Sequence, residues 1–244
     1  MAHIKAQELT IDFPIYGANS RSLKKALVNA TTGGAFAKGA SDSVVVRALD
    51  RVSFEFCEGD RIGLIGHNGS GKSTLLRALA GIHEPVGGHL WVDGKVTSML
   101  SIFLGMDMEA TGLENIFMRG HVMGIAPKKV KAMVDEIADF AGIGDYLYMP
   151  MRTYSSGMAM RLAFAVSTSV EADIVLMDEW LSVGDAAFVE KAKSRLEGFV
   201  RNASIVVLAS HDLGLVKNQC NRILHLSHGV LQSIEHQTEE TPAA

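Results

Sequence analysis

Residues 61–80 read Arg-Ile-Gly-Leu-Ile-Gly-His-Asn-Gly-Ser-Gly-Lys-Ser-Thr-Leu-Leu-Arg-Ala-Leu-Ala, and three signals meet in them. Arg61 to Ile65 is an apolar run of strand length, and Thr74 to Ala80 has helical spacing. Between them, Gly66-His67-Asn68-Gly69-Ser70-Gly71-Lys72-Ser73 fits G-x-x-x-x-G-K-[ST] in full. Strand, glycine loop, helix is the context in which that pattern cradles phosphate. The glycines let backbone amides converge on an anion, and the helix N-terminus adds a favourable field. Lys72 is placed to neutralise charge on β and γ phosphates, and Ser73 to ligate Mg²⁺.

Downstream, Ile174-Val175-Leu176-Met177 is a buried-strand run that ends in Asp178-Glu179. Carboxylates at the carboxyl end of a strand sit where open α/β sheets present ligands. Asp178 suits Mg²⁺, held through water, and Glu179 suits polarising the water that attacks a γ-phosphate.

Around these motifs the chain alternates between strand and helix. Ile4 to Phe13 reads as an opening strand closed by Pro14 and Gly17, and Val44 to Phe56 is rich in strand formers. Between them, residues 18–43 shift toward Gly, Ser, Thr, Asn and Ala and read as an insertion, with a basic helix over residues 20–27 and a Thr-Thr-Gly-Gly break at 31–34. Gly87-Gly88 and Asp93-Gly94 bracket a hairpin strand around Leu90 to Val92. Helices are expected over Pro127 to Phe140, Met158 to Val170 and Ala186 to Val200, a strand over Ile205 to Ala209, and a frayed tail from Gln237. The order predicts an α/β fold with a parallel central sheet.

Composition sets the outer limits. At about 150 residues per domain, 244 residues make one large or elaborated domain. Lys and Arg number 23 against 27 Asp and Glu, so the formal charge of −4 gives no global attraction to nucleic acid. The apolar runs are strand-sized, short of the ~20 residues a membrane span needs. The first residues lack the apolar core of a secretory signal. Cys57 and Cys220 have no CxxC or His-spaced partner and are expected to be reduced thiols in a cytoplasmic protein.

Tyr154-Ser155-Ser156-Gly157-Met158 precedes Arg161-Leu162-Ala163-Phe164-Ala165 and the Asp-Glu strand; Ser182-Val183-Gly184-Asp185 and Ser210-His211-Asp212 follow it. In this order, from about Leu9 to Leu231, the chain resembles the ATP-binding subunit of ABC transporters. Its insertion, its Tyr-Ser-Ser-Gly-Met signature and its Ser-Val-Gly-Asp-Ala-Ala-Phe string look like the Wzt-type subunit of O-antigen, teichoic-acid and related polysaccharide exporters.

The resemblance implies one ABC ATP-binding domain over residues 1–244, a P-loop NTPase fold with an antiparallel β subdomain and a helical subdomain over 101–170. It implies Mg²⁺-dependent ATP hydrolysis in a homodimer, where residues 66–74, Asp178, Glu179 and His211 of one subunit face Ser155, Ser156 and Gly157 of another. Ser155 and the helix start behind it make an anion site. Asp185 takes the D-loop position, His211 the switch position at the γ-phosphate, and Tyr16 the adenine-stacking position, with Phe13 competing. Motion would pass through the helical middle, Gly112 to Phe140, to a separate membrane permease carrying a lipid-linked glycan, which places the subunit on the cytoplasmic face of the inner membrane. Length leaves no room for the separate glycan-binding domain that some relatives append. Where many relatives carry a Gln, this chain has Ser101-Ile102-Phe103-Leu104-Gly105, so either Ser101 acts through water or the loop couples to the membrane partner alone. An exporter of drugs or lipids and a soluble ABC ATPase are the alternatives. His225 and His228 read as surface residues of a strand and turn.

Overall fold

A computed structural model describes residues 1–15, 35–38, 44–179 and 186–237. Strand β1, His3–Pro14, buries Ile4 and Ala6 in alternation, then breaks that period at Gln7 and Glu8, where its register slips. An extra residue in one strand of a pair bends it and sharpens its twist. β1 lies antiparallel between β3, Val44–Cys57, and β5, Gly87–Asp93, with β2, Ala35–Lys38, on the far side of β3. The four strands run in the order β2-β3-β1-β5.

The second sheet has six strands in the order β10-β9-β4-β8-β7-β6. They are β4, Arg61–Ile65; β6, Val96–Ser98; β7, Ile174–Asp178; β8, Ile205–Ala209; β9, Arg222–Ser227; and β10, Val230–His236. β4 pairs parallel with both β8 and β9, and β10 returns antiparallel on β9. Ile205 to Ala209 and Ile174 to Met177 are buried at every position. Continuous apolar runs of this kind belong to parallel strands covered on both faces.

The described helices are α1, Lys72–Leu79; α2, Gly112–Val122; α3, Pro127–Ala141; α4, Ser156–Ser167; α5, Ala186–Asn202; and α6, Leu213–Gln219. The chain divides into two compact units, Met1–Val96 with Leu176–Trp180 and Ser204–Ala244, and Thr97–Val175 with Leu181–Ala203. In the first, Ile4, Leu49, Phe56, Ile62, Leu64, Leu75 and Leu76 are fully buried, each such side chain contributing roughly 1.5–3 kcal/mol. Burial of Cys220 pushes its thiol up to about 12, while Cys57 is exposed; both are free thiols.

In the second unit, Ile116, Val130, Ile137, Leu147, Met151, Leu162 and Val166 form one cluster under α2, α3 and α4. α2 starts on a capping box: Thr111 accepts from the Glu114 backbone N–H, and Glu114 accepts from the Thr111 N–H. α5 is tied in by Arg195, which donates to Thr168 and Ser169, pairs with Glu136 at 2.9 Å and lies over the Phe140 ring.

Three readings change. The 87–94 segment is a strand, but it pairs with β1 rather than forming a hairpin with its sequence neighbour. α4 runs from Ser156 to Ser167 rather than from 158 to 170. Ser155 caps it early, and the Thr168 and Ser169 hydroxyls donate back to Phe164 and Ala165 carbonyls at its end. The insertion contains a strand, β2. The unit holding residues 101–170 also takes in α5. The helix over 20–27, the break at 31–34 and the tail beyond Gln237 lie outside the described residues.

Candidate functional site

The phosphate loop is seated on strands of both sheets of the first unit. Gly71, at φ 107°, packs so close to β3 that a Cβ there would stand 2.8 Å from the Ala48 carbonyl oxygen and from Leu49 Cδ2. A Cβ on Gly66 would run into the Leu226 carbonyl and stand 2.6 Å from Ser70 Oγ. Only glycine fits these approaches. The turn between β9 and β10 completes the seat: Gly229 N–H donates to the Ser70 carbonyl and Asp50 N–H to the Gly229 carbonyl, both at 2.9 Å.

Over this loop lies a groove of about 430 Å³ lined by Val46, Ala48, Asn68 to Thr74, Asp178 and His211. Lys72 Nζ donates to the Gly66 carbonyl at 2.7 Å and the His67 carbonyl at 3.2 Å. Burial lowers the Lys72 pKa, and the Asp178 and Glu179 carboxylates oppose that shift. Its ammonium is therefore short of compensation and ready for anionic oxygens. Ser73 Oγ donates to Asp178 Oδ2 at 2.7 Å, so the two predicted Mg²⁺ ligands meet across 105 residues of sequence. Ser70 Oγ is buried without a hydrogen-bond partner among the described residues. An orphaned hydroxyl, an under-compensated ammonium and a hydroxyl-carboxylate pair fit Mg²⁺ and triphosphate.

Glu179 follows directly at φ 70°, a left-handed conformation that is strained for a non-glycine residue. Its N–H is fixed on the Ala209 carbonyl at 2.8 Å, and its carboxylate accepts from Ser210 Oγ at 3.1 Å. His211 Nε2 lies 3.8 Å from Glu179 Oε1, within ion-pair range but beyond a hydrogen bond. The Ser210 contribution was missed from sequence, where only His211 carried a role; its signal is the hydroxyl directly before that histidine. The His67 side chain packs ring to ring with His228 at 4.4 Å, while its carbonyl accepts from Lys72 Nζ.

The signature stretch belongs to the second unit. Ser155 is the N-cap of α4, accepting from the Met158 N–H at 3.2 Å, and its own hydroxyl proton stays available to donate. Ser155 and Ser156 are exposed, and Gly157 is half-buried. Tyr154 is anchored beneath by its hydroxyl on the Tyr146 carbonyl at 2.5 Å.

In the loop that lacks Gln, Ile102 is buried while Phe103 and Leu104 are exposed. The sequence did not single out what holds this loop. Arg119, only 3% exposed, donates to the Leu104 carbonyl at 2.6 Å, and buried Asn115 exchanges hydrogen bonds with the backbone of Asp107. Two polar residues four apart on an otherwise apolar helix face were the available signal. Phe13 sits edge-on to His83 at 5.0 Å at the end of β1. Tyr16 and Asp185 lie outside the described residues. Among those residues no helix is long and apolar enough to cross a membrane.

The chain is 45% identical to the O-antigen export system ATP-binding protein RfbE of Yersinia enterocolitica over 231 residues, 95% of this chain and 97% of that one. It is 42% identical to the teichoic acids export ATP-binding protein TagH of Bacillus anthracis, over 75% of this chain but only 33% of the longer relative. A solved dimeric ATP-binding cassette in a post-hydrolysis state, bound to ADP and Pi, superposes with a TM-score of 0.68 at 18% identity, covering 96% of this chain and 98% of that one, which establishes the fold. The family described as ABC transporter matches residues 49–182. With more than half its length matched and a near full-length relative at 45% identity, the chain belongs to the ABC transporter family.

Proposed function

We propose that this chain is the ATP-hydrolysing subunit of an export system for a lipid-linked cell-envelope polysaccharide, of the O-antigen or teichoic acid class. It works as a pair on the cytoplasmic face of the inner membrane beneath a separate membrane subunit. One observation carries the reading: the chain holds two unlike halves of a nucleotide site, the Lys72, Ser73 and Asp178 groove and the exposed, capped helix start at Ser155. Two copies arranged head to tail give each nucleotide one half from each chain. The near full-length likeness to an O-antigen export ATP-binding protein supports the cargo class.

The roles follow from the side chains. Lys72 trades its two backbone carbonyls for β- and γ-phosphate oxygens, and the amides of residues 66–74 surround the same charge. Ser73 and Asp178 offer the oxygen donors that a hard cation takes and would hold Mg²⁺. When bound, Mg²⁺ neutralises charge on the phosphate oxygens. Glu179, steadied by Ser210, takes the proton of the attacking water, and His211 holds that water toward the γ-phosphate. Ser155, with Ser156 and Gly157 of the partner copy, caps the γ-phosphate from the other side. ATP becomes ADP and inorganic phosphate, and loss of the shared phosphate releases the pair.

Phe103, Leu104, Met108 and Val122 leave large apolar side chains in water on the second unit, and they supply the surface for the membrane subunit. The decisive experiment measures ATP turnover per chain across a dilution series, with the oligomeric state read in parallel. Turnover should rise with concentration as pairs form. A fully active lone chain at every dilution sinks the composite site. Loss of the chain in cells should leave lipid-linked polysaccharide on the cytoplasmic side.

A further inference from the structure

The first unit carries a second cavity, of about 520 Å³, beside the nucleotide groove, and His211 lines both. Its other polar walls are His67, His225, Ser210, Ser227, Gln232 and Ser233, over a floor of Ile65 and Leu226. Among the described residues the lining is rich in hydrogen-bond donors and contains no Asp, Glu, Lys or Arg. Of the histidines in the lining, His211 lies 3.8 Å from Glu179 and His225 2.9 Å from Glu235. The His225 contact is close enough for an ion pair but misaligned for a hydrogen bond, so that buried ring nitrogen lacks a good partner.

Backbone irregularity aims the far wall. The pairing of β10 with β9 slips between Leu231 and Ser233, leaving Gln232 as the extra residue of a bulge. Bulges next to active sites re-aim side chains, and here one turns an amide and a hydroxyl onto the cavity. Imidazole, hydroxyl and amide donors without an acidic side chain in the lining suit a small oxyanion rather than a cation. Through the shared His211 the cavity adjoins the nucleotide groove, where the proposed hydrolysis would produce such an anion.

We propose that this cavity is a binding site for inorganic phosphate, received across His211 from the nucleotide groove. The inference rests on the ATPase reading above and adds to it a holding place for one product. Phosphate there interacts with His225, Gln232 and Ser233, none of which takes part in hydrolysis, so the cavity sets how fast product leaves and how strongly free phosphate inhibits.

The test compares the parent with Gln232→Leu and, as a second and milder variant, Ser233→Ala. Steady-state ATP turnover is titrated with inorganic phosphate and, separately, with ADP. Loss of one hydrogen bond to an anion should raise the phosphate inhibition constant by about tenfold in Gln232→Leu, and by less in Ser233→Ala, with ADP inhibition unchanged. A single-turnover arm follows cleavage by acid quench and free phosphate by a fluorescent phosphate-binding sensor. A lag of free phosphate behind cleavage that shortens in Gln232→Leu assigns the site to product; weaker inhibition without a lag assigns it to phosphate from solution. Unchanged phosphate inhibition in both variants overturns the site, as does a parent insensitive to phosphate. A parent that cleaves no ATP instead overturns the functional reading on which the site rests.

Discussion

The phosphate groove and the signature helix stand at two extremes of how a chain specifies a site. In the groove, Lys72, Ser73, Asp178, Glu179 and Ser210 already touch one another or the loop that holds them, so one protomer supplies the whole arrangement. At the signature, Ser155 satisfies its own helix and then presents a hydroxyl and free backbone amides to solvent. The groove's own contacts close within one chain, whereas the helix start presents donors that, in the proposed pair, a second molecule meets. Loss of nucleotide binding from substitutions in the first region should therefore show in a single chain, and effects of substitutions in the second only in a pair.

The largest effect sharpens this contrast from inside the groove. Glu179→Gln keeps the shape of the side chain and removes the proton acceptor, so turnover should fall by about 10²- to 10⁴-fold while ATP still binds and a stable pair accumulates on size-exclusion chromatography. Parental turnover in that variant removes Glu179 as the base. Lys72→Ala strips the ammonium from the phosphates, and nucleotide affinity should drop by roughly 10- to 100-fold even in dilute, monomeric protein. Fluorescent-nucleotide titration reads it directly.

Ser155→Ala probes the other side. It should leave nucleotide binding to the monomer intact but lower turnover at concentrations where pairs form, by about tenfold. Equal losses in monomer binding and paired turnover would break the distinction drawn here. The smallest effect is Thr111→Ala, which removes the cap of α2 and should cost about 1 kcal/mol in urea unfolding without changing nucleotide affinity. A fall in affinity would show that the second unit supports the groove after all.

The legibility of the chain follows the same division. Residues 61–80 could be read because strand, loop and helix signals are contiguous and the chemistry is carried by the backbone and two adjacent side chains. Asp178 and Glu179 were legible because a strand buried along its whole apolar run has to end where that run ends. Arg119 and Asn115 were not, because their partners are main-chain carbonyls of a loop with no periodicity of its own. The 87–94 strand was found but paired wrongly: glycines announce turns, yet a turn does not say whether the next strand stays in the same sheet. Ala35–Lys38 was hidden in polar, small-residue composition, and only pairing with β3 makes it a strand.

The close seat of Gly66 and Gly71 has an implication for engineering. These residues rivet two layers together before any nucleotide arrives, so alanine at either should loosen the apo protein as well as its grip on ATP. The tip is different: among the described residues beyond its chain neighbours, none comes within 4 Å of where a Cβ on Gly69 would sit, and Asn68 is exposed. Libraries meant to retune phosphate affinity without losing thermal tolerance should therefore leave the loop's two anchors untouched and vary its crest at Asn68.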